Sequence, residues 1–218
     1  MEWGVLLVTL LGLVLGGIVL QATMAARHWR RVIAAGDVDA LRQAVDESFA
    51  TWQRQKPPKG YPAADWQGLQ SATVLAADTQ RCRVSMLVGP DIRVVGNRRQ
   101  QTGSALDVAR RVAVKMVERT LYEIPHVRFD EVQIDVHTAY QQPDGSSRTE
   151  CILTTRVQRE DAATAPWDTA DDAELLRGWA TVDKSTTTVV DPDEDPLIVA
   201  EGQAAVAEAE ATLRKGPQ

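Results

Sequence analysis

The chain holds 218 residues with a formal net charge of −6, 44% hydrophobic residues, two cysteines and three histidines. Two cysteines exclude a disulfide framework or a cysteine-rich zinc module, and the length allows one domain of ordinary size plus extensions. Charge is uneven: residues 81–119 carry nine basic and three acidic side chains and residues 160–218 four and fourteen, so a basic middle joins an acidic tail.

The first element is WGVLLVTLLGLVLGGIVL, Trp3 to Leu20, whose 18 residues would span about 27 Å as a helix, close to the ~30 Å hydrocarbon core of a bilayer. Residues 21–26 extend it, and Arg27, Arg30 and Arg31 follow at once. No basic residue precedes the run, it is longer than a signal-peptide core, and its best cleavage site is the indifferent Thr23-Met24-Ala25. The expectation is therefore a retained single-pass anchor in the lipid bilayer through residues 3–26. Positive charge tends to stay cytoplasmic, which puts the N-terminus outside and the C-terminal domain in the cytoplasm. Gly12 and Gly16 form a Gly-x-x-x-Gly pair that would let two such helices approach closely in a homodimer. The alternative is an exported domain after cleavage following Ala25.

From Asp37, a good N-cap, Leu41, Ala44, Val45, Ser48, Phe49 and Trp52 recur at helical spacing, and KPPKGYP at 56–62 ends the helix. A second short helical turn is expected over 63–69. Residues 27–71 thus read as a juxtamembrane helical arm and Pro-rich linker between the anchor and an α+β domain at 72–160. In that domain the alternation RCRVSMLV at 81–88, the turn Gly89-Pro90-Asp91 and the run 92–96 read as a hairpin. A polar loop NRRQQTG leads to a helix capped by Ser104 and running to about Tyr122. A second hairpin follows, with Val132, Ile134, Val136, Thr138 and Tyr140 on one face and CILTTRV at 151–157 as its return. The order ββαββ implies an antiparallel or mixed sheet with one helix packed on a face. The remainder, 161–218, reads as an acidic, partly helical tail, with a short helix over 171–179, an edge strand at 186–190 and an alanine-rich helix at 199–213.

Chemistry is sparsely marked. No Gly-x-x-x-x-Gly-Lys-Ser/Thr, Gly-x-Gly-x-x-Gly, Gly-x-Ser-x-Gly or His-Glu-x-x-His occurs, so the chain lacks the best-marked nucleotide, dinucleotide, hydrolase and zinc-protease signatures. No cofactor is expected. Glu131, Asp135 and His137 alternate outward on one strand, where a carboxylate and an imidazole could serve a membrane-tethered enzyme, although a solvent-facing strand surface is the plainer reading. Asp191, Asp193 and Asp195 open like a calcium loop, but Pro196 and Gly202 stand where glycine and glutamate are needed, so the run reads as a solvated linker. Arg98, Arg99, Arg110, Arg111 and Lys115 form a candidate anion-binding face before and along the Ser104 helix. Its targets would be anionic lipid headgroups or the chain's own acidic tail; nucleic acid ranks last because no aromatic residues interleave to stack bases.

The stretch VARRVAVKMVERTLYEIPHVRFDEVQIDVHTAY, Val108 to Tyr140, locally resembles the helix and following alternating strand of the alkaline-shock protein family. That resemblance implies a cell-envelope role beside a membrane anchor. The flanking hairpins and the tail depart from the family pattern. Taken together, the expectation is a membrane-held, non-catalytic interaction or scaffold module with an unidentified protein partner.

Overall fold

A computed structural model describes residues 2–95, 98–142, 144–167 and 169–200, with the side chains of 2–10, 26, 30, 34, 94 and 95 left aside. The fold is α+β with a mixed sheet. Helix α1, Glu2–Ala34, runs unbroken through the apolar stretch and past the arginines. It ends at Gly36, whose φ of +89° is a conformation that suits glycine. Helix α2, Val38–Arg54, starts where Asp37 accepts a hydrogen bond from the Ala40 amide at 3.0 Å, and it buries Leu41, Val45, Ser48, Phe49 and Trp52. Helix α3, Ala63–Gln70, follows the proline segment.

Five strands form the main sheet: β1 Thr73–Ala77, β2 Arg81–Val88, β5 Glu131–Gln141, β6 Ser147–Gln158 and β7 Ala180–Asp183, in the order β1-β2-β5-β6-β7. The β2–β5 pair is parallel and the others antiparallel. Between β2 and β5 the chain makes a separate ribbon, β3 Asp91–Val95 with β4 Arg98–Gly103, and then helix α4, Ala105–Tyr122. Ser104 and Asp107 close a reciprocal capping box at the start of α4. Helices α5, Arg159–Thr164, and α6, Asp172–Arg177, precede β7.

One face of the sheet, Cys82, Val84, Met86, Val132, Ile134, Val136 and Leu153, packs on Val108, Ala109, Val112, Met116 and Val117 of α4. Leu41, Phe49 and Trp52 of α2 and Ile33 of α1 belong to the same buried cluster. The segment expected as an arm therefore carries part of the body's core.

Two expected pairings are corrected. The run at 91–95 does not return against β2, because both edges of β2 are taken by β1 and β5. It pairs instead with Arg98–Gly103, the segment read as a loop. The edge strand expected at 186–190 is absent among the described residues, and β7, earlier in the chain, takes the edge beside β6. The helix expected at 199–213 lies almost wholly outside the described residues.

Candidate functional site

The second face of the sheet is polar. Register places Arg83, Gln133 and Arg156 side by side across β2, β5 and β6, with Ser85, Asp135 and Thr154 as the next row. A polar row on an open sheet would be hydrated, yet Arg83, Gln133 and Asp135 are 1%, 3% and 0% exposed. The cover is an irregular segment, residues 190–198, that lies across the sheet as a strap.

The strap is held by side chains reading its main chain. Arg83 Nη2 donates to the Pro192 carbonyl at 3.0 Å and to Asp193 Oδ1 at 2.7 Å, and Nη1 donates to the Ile198 carbonyl at 3.4 Å. Gln133 accepts from the Leu197 amide at 2.7 Å and donates to the Pro192 carbonyl at 3.3 Å. Arg81 donates to the Leu197 carbonyl at 3.1 Å. Arg156 donates to the main-chain carbonyl of Asp195 and, at 3.4 Å, to its carboxylate. Asp191, Asp193 and Asp195 are exposed, as a solvated run would be, but the main chain between them is pinned to the sheet, and Asp193 and Asp195 pair with Arg83 and Arg156. Beneath the strap a cleft of about 600 Å³ stays open, bounded by Thr154, Arg156, Val182, Asp191 and Asp195.

Asp135 is the pivot. Its Oδ2 accepts from Arg83 Nε at 2.7 Å, and its Oδ1 from Gln133 at 2.8 Å and Thr154 at 2.7 Å. Burial works against the charge on Arg83, but Asp135 and Asp193 outweigh it and hold the guanidinium above its ordinary range. The expectation that Asp135 faces solvent is corrected: a buried arginine and a strap need a buried carboxylate between them. Glu131 and His137 are half-buried. His137 Nδ1 meets Ser85 Oγ at 3.2 Å, while the hydrogen bonds of Asp135 go elsewhere. Cys151, across from His137, is free, and burial pushes its thiol up to about 12, so it stays protonated near neutrality. Cys82 is likewise free and buried.

The five basic candidates are not one face. Arg110 donates to Asp183 at 2.6 and 3.1 Å and to Ser185, tying α4 to the acidic tail. Arg111 makes a bidentate pair with Asp65 of α3 at 2.6 and 2.7 Å. Lys115 meets Glu118 at 2.6 Å. Arg98 and Arg99 are exposed on β4, in the separate ribbon. Internal carboxylates thus occupy the helical members of the set, one of them from the tail that the sequence offered as a target. Arg27 and Arg31 are exposed beside the exposed Trp29. A groove of about 480 Å³ opens next to them, lined by Trp29, Ile33, Glu47, Trp52, Glu123 and His126. At Gly12 and Gly16 a Cβ would meet nothing within 4 Å, so that side of α1 is open in the single chain.

Sequence reading missed Arg83, Gln133, Thr154 and Arg156 as a set. A signal existed, since β2 carries arginine at alternate positions opposite its apolar row, but strand pairing was needed to align them. Among the described residues no cluster of three or more metal-ligating side chains occurs. Comparison with known proteins finds no matching family, no matching curated protein and no matching solved structure.

Proposed function

We propose that the chain is a membrane-tethered, non-catalytic interaction module, its body held at the cytoplasmic surface by α1. The observation that carries this reading is the continuity of α1. Its stretch Leu11–Ile33 is long and apolar enough to cross a membrane and its apolar window is wholly unburied, yet the same helix ends with Ile33 in the body's core. A soluble core helix would bury such a surface, and the length of the run with no basic residue ahead of it disfavours a cleavable signal. Arg27, Arg30 and Arg31 favour the body on the inside.

Catalysis by Glu131, Asp135 and His137 has less support. A general base or metal ligand needs a lone pair open to its substrate or ion, and Asp135 gives both oxygens to Arg83, Gln133 and Thr154.

Orientation is tested by impermeant maleimide labelling, for which the buried Cys82 and Cys151 give a low background. A cysteine added at the N-terminus should label in intact cells, and Lys59→Cys only after permeabilisation. The protein should resist carbonate extraction with residues 1–25 still present. Labelling of Lys59→Cys in intact cells, or a mature chain beginning after Ala25, would overturn the reading.

A further inference from the structure

The face beneath the strap presents Arg81, Arg83, Gln133 and Arg156, and its present occupant is an irregular acidic segment of turns and bends. We infer that this face binds an acidic, proline-bracketed segment of a partner protein, of the form Pro-acidic-x-acidic-Pro-apolar, and that residues 190–198 occupy the site in cis until displaced. The inference deepens the proposed interaction role and rests on it, though not on which side of the membrane the body lies.

Three observations carry it. The first is the kind of contact: Arg83, Gln133, Arg81 and Arg156 take main-chain carbonyls, one amide and two carboxylates of the strap. Such contacts read the main chain and carboxylates two residues apart, so they suit any acidic segment able to follow the strap's path of turns and bends over 192–198. Pro192 and Pro196 each fix φ at their own position and so lower the cost of ordering the segment.

The second is that the strap can leave without stranding a charge. Arg83 keeps Asp135 as its partner at 2.7 Å, and Gln133 keeps Asp135 at 2.8 Å, so the empty face would stay assembled and become hydrated. A buried arginine whose only partner lay on the strap would instead make release very costly. The strap adds little apolar anchorage. Only Val190 and Leu197 are buried in it, and neither belongs to the main core cluster.

The third is size. The cleft of about 600 Å³ has Thr154, Arg156 and the half-exposed Val182 on its sheet side and Asp191, Pro192, Glu194 and Asp195 of the strap on the other, so the strap does not fill the space between itself and the sheet. A partner segment with a bulkier apolar residue after its acidic pair would gain contact there.

The test uses the full chain in detergent micelles and a fluorescent peptide, VVDPDEDPLIV, copied from residues 189–199. In an Asp193→Asn, Asp195→Asn variant, amide hydrogen exchange across 190–198 should accelerate. That variant should bind the peptide at least ten-fold more tightly than the unmodified chain does. It should also bind it at least ten-fold more tightly than a peptide with asparagine at the same two positions, and added salt should weaken the binding. Adding Arg156→Gln should reduce it. In the unmodified chain, a large excess of peptide should raise exchange at 190–198 and nowhere else, which checks the idea without relying on a variant's folding. A strap as protected in the variant as in the parent would show that its carboxylates do not hold it, and fast exchange without peptide binding would show that the face does not recognise them; either result overturns the inference. A peptide-dissociable dimer of the variant would assign the site to a second copy's strap and overturn the assignment to a different partner. None of these results bears on labelling orientation, so each proposal can fail alone.

Discussion

Single residues show how closely the helical layer is fitted to the sheet. A Cβ on Gly68 would lie 2.9 Å from Val88 Cγ1 and 3.1 Å from Val112 Cγ1, so α3 meets β2 and α4 with no room for a methyl group. Both neighbours are β-branched and buried, and therefore stiff. Gly68→Ala should destabilise the fold by about 1 kcal/mol, the overpacking cost exceeding the gain in helix propensity. Val88→Ala in the same chain should recover part of that loss, and chemical denaturation of the four species of the cycle measures it; simple additivity would show that the contact is not the cause. Two residues before Val112, Arg110 reaches Asp183: burial pushes that carboxyl up, but hydrogen bonds from Ser185 and Arg110 more than offset it and leave it below its ordinary value. A depressed folded-state pKa stabilises the fold above the unfolded value of about 3.9, and that contribution is lost as pH falls through the lower folded value. Asp183→Asn should therefore cost about 1 kcal/mol at pH 7 and flatten the acid limb of the stability profile below about pH 4. An unchanged acid limb would place the linkage on other carboxylates.

At the level of elements, local physics reads well from the sequence where an element is its own evidence. The capped, amphipathic α2 and α4 carry their periodicity and their stop residues, and both begin where Asp37 and Ser104 indicate. The β5–β6 hairpin is legible for the same reason, its apolar row from Val132 to Val136 facing α4. Pairing between elements is not local. Gly89-Pro90-Asp91 has the chemistry of a hairpin turn, but whether the next strand returns depends on whether β2 has a free edge, and β5, more than 40 residues later, takes it. Arg98–Gly103 is a strand with no apolar alternation because both its faces are exposed, so periodicity has nothing to report there. The polar sheet face fails for a related reason. Alternating Glu131, Gln133 and Asp135 has the pattern of a solvated strand, and only the strap, about 60 residues on, turns it into a buried network. The basic set shows the opposite error: Arg110 and Arg111 are neighbours in sequence, yet as successive residues on a helix they diverge to Asp183 and Asp65 on different elements.

For the whole molecule, the junction of α1 and α2 decides whether the proposed anchor is a leash or a mount. The 33 residues of α1 amount to about 50 Å of helix, some 20 Å more than a hydrocarbon core needs. The excess does not end in a flexible linker. Ala35 donates to the Arg31 carbonyl at 2.9 Å and Gly36 to that of Ile33 at 3.0 Å, so the helix is closed by its own last turn. Asp37 then opens α2 at once, while Val32 and Ile33 pack into the body's core. On the membrane-tethered reading proposed above, a rigid mount would fix which face of the body meets the bilayer and which stays open to a partner segment. With spin labels at Gln21→Cys on α1 and Lys59→Cys in the body, the distance distribution should be narrow. Inserting three Gly-Gly-Ser repeats after Ala35 should broaden it without releasing the protein from membranes, since the span itself is untouched. Ile33→Ala should broaden it partway, because it removes the buried contact but keeps the turn. A distribution already broad in the unmodified chain would show that the body swings freely, and the fixed presentation of the strap face would then have no structural basis.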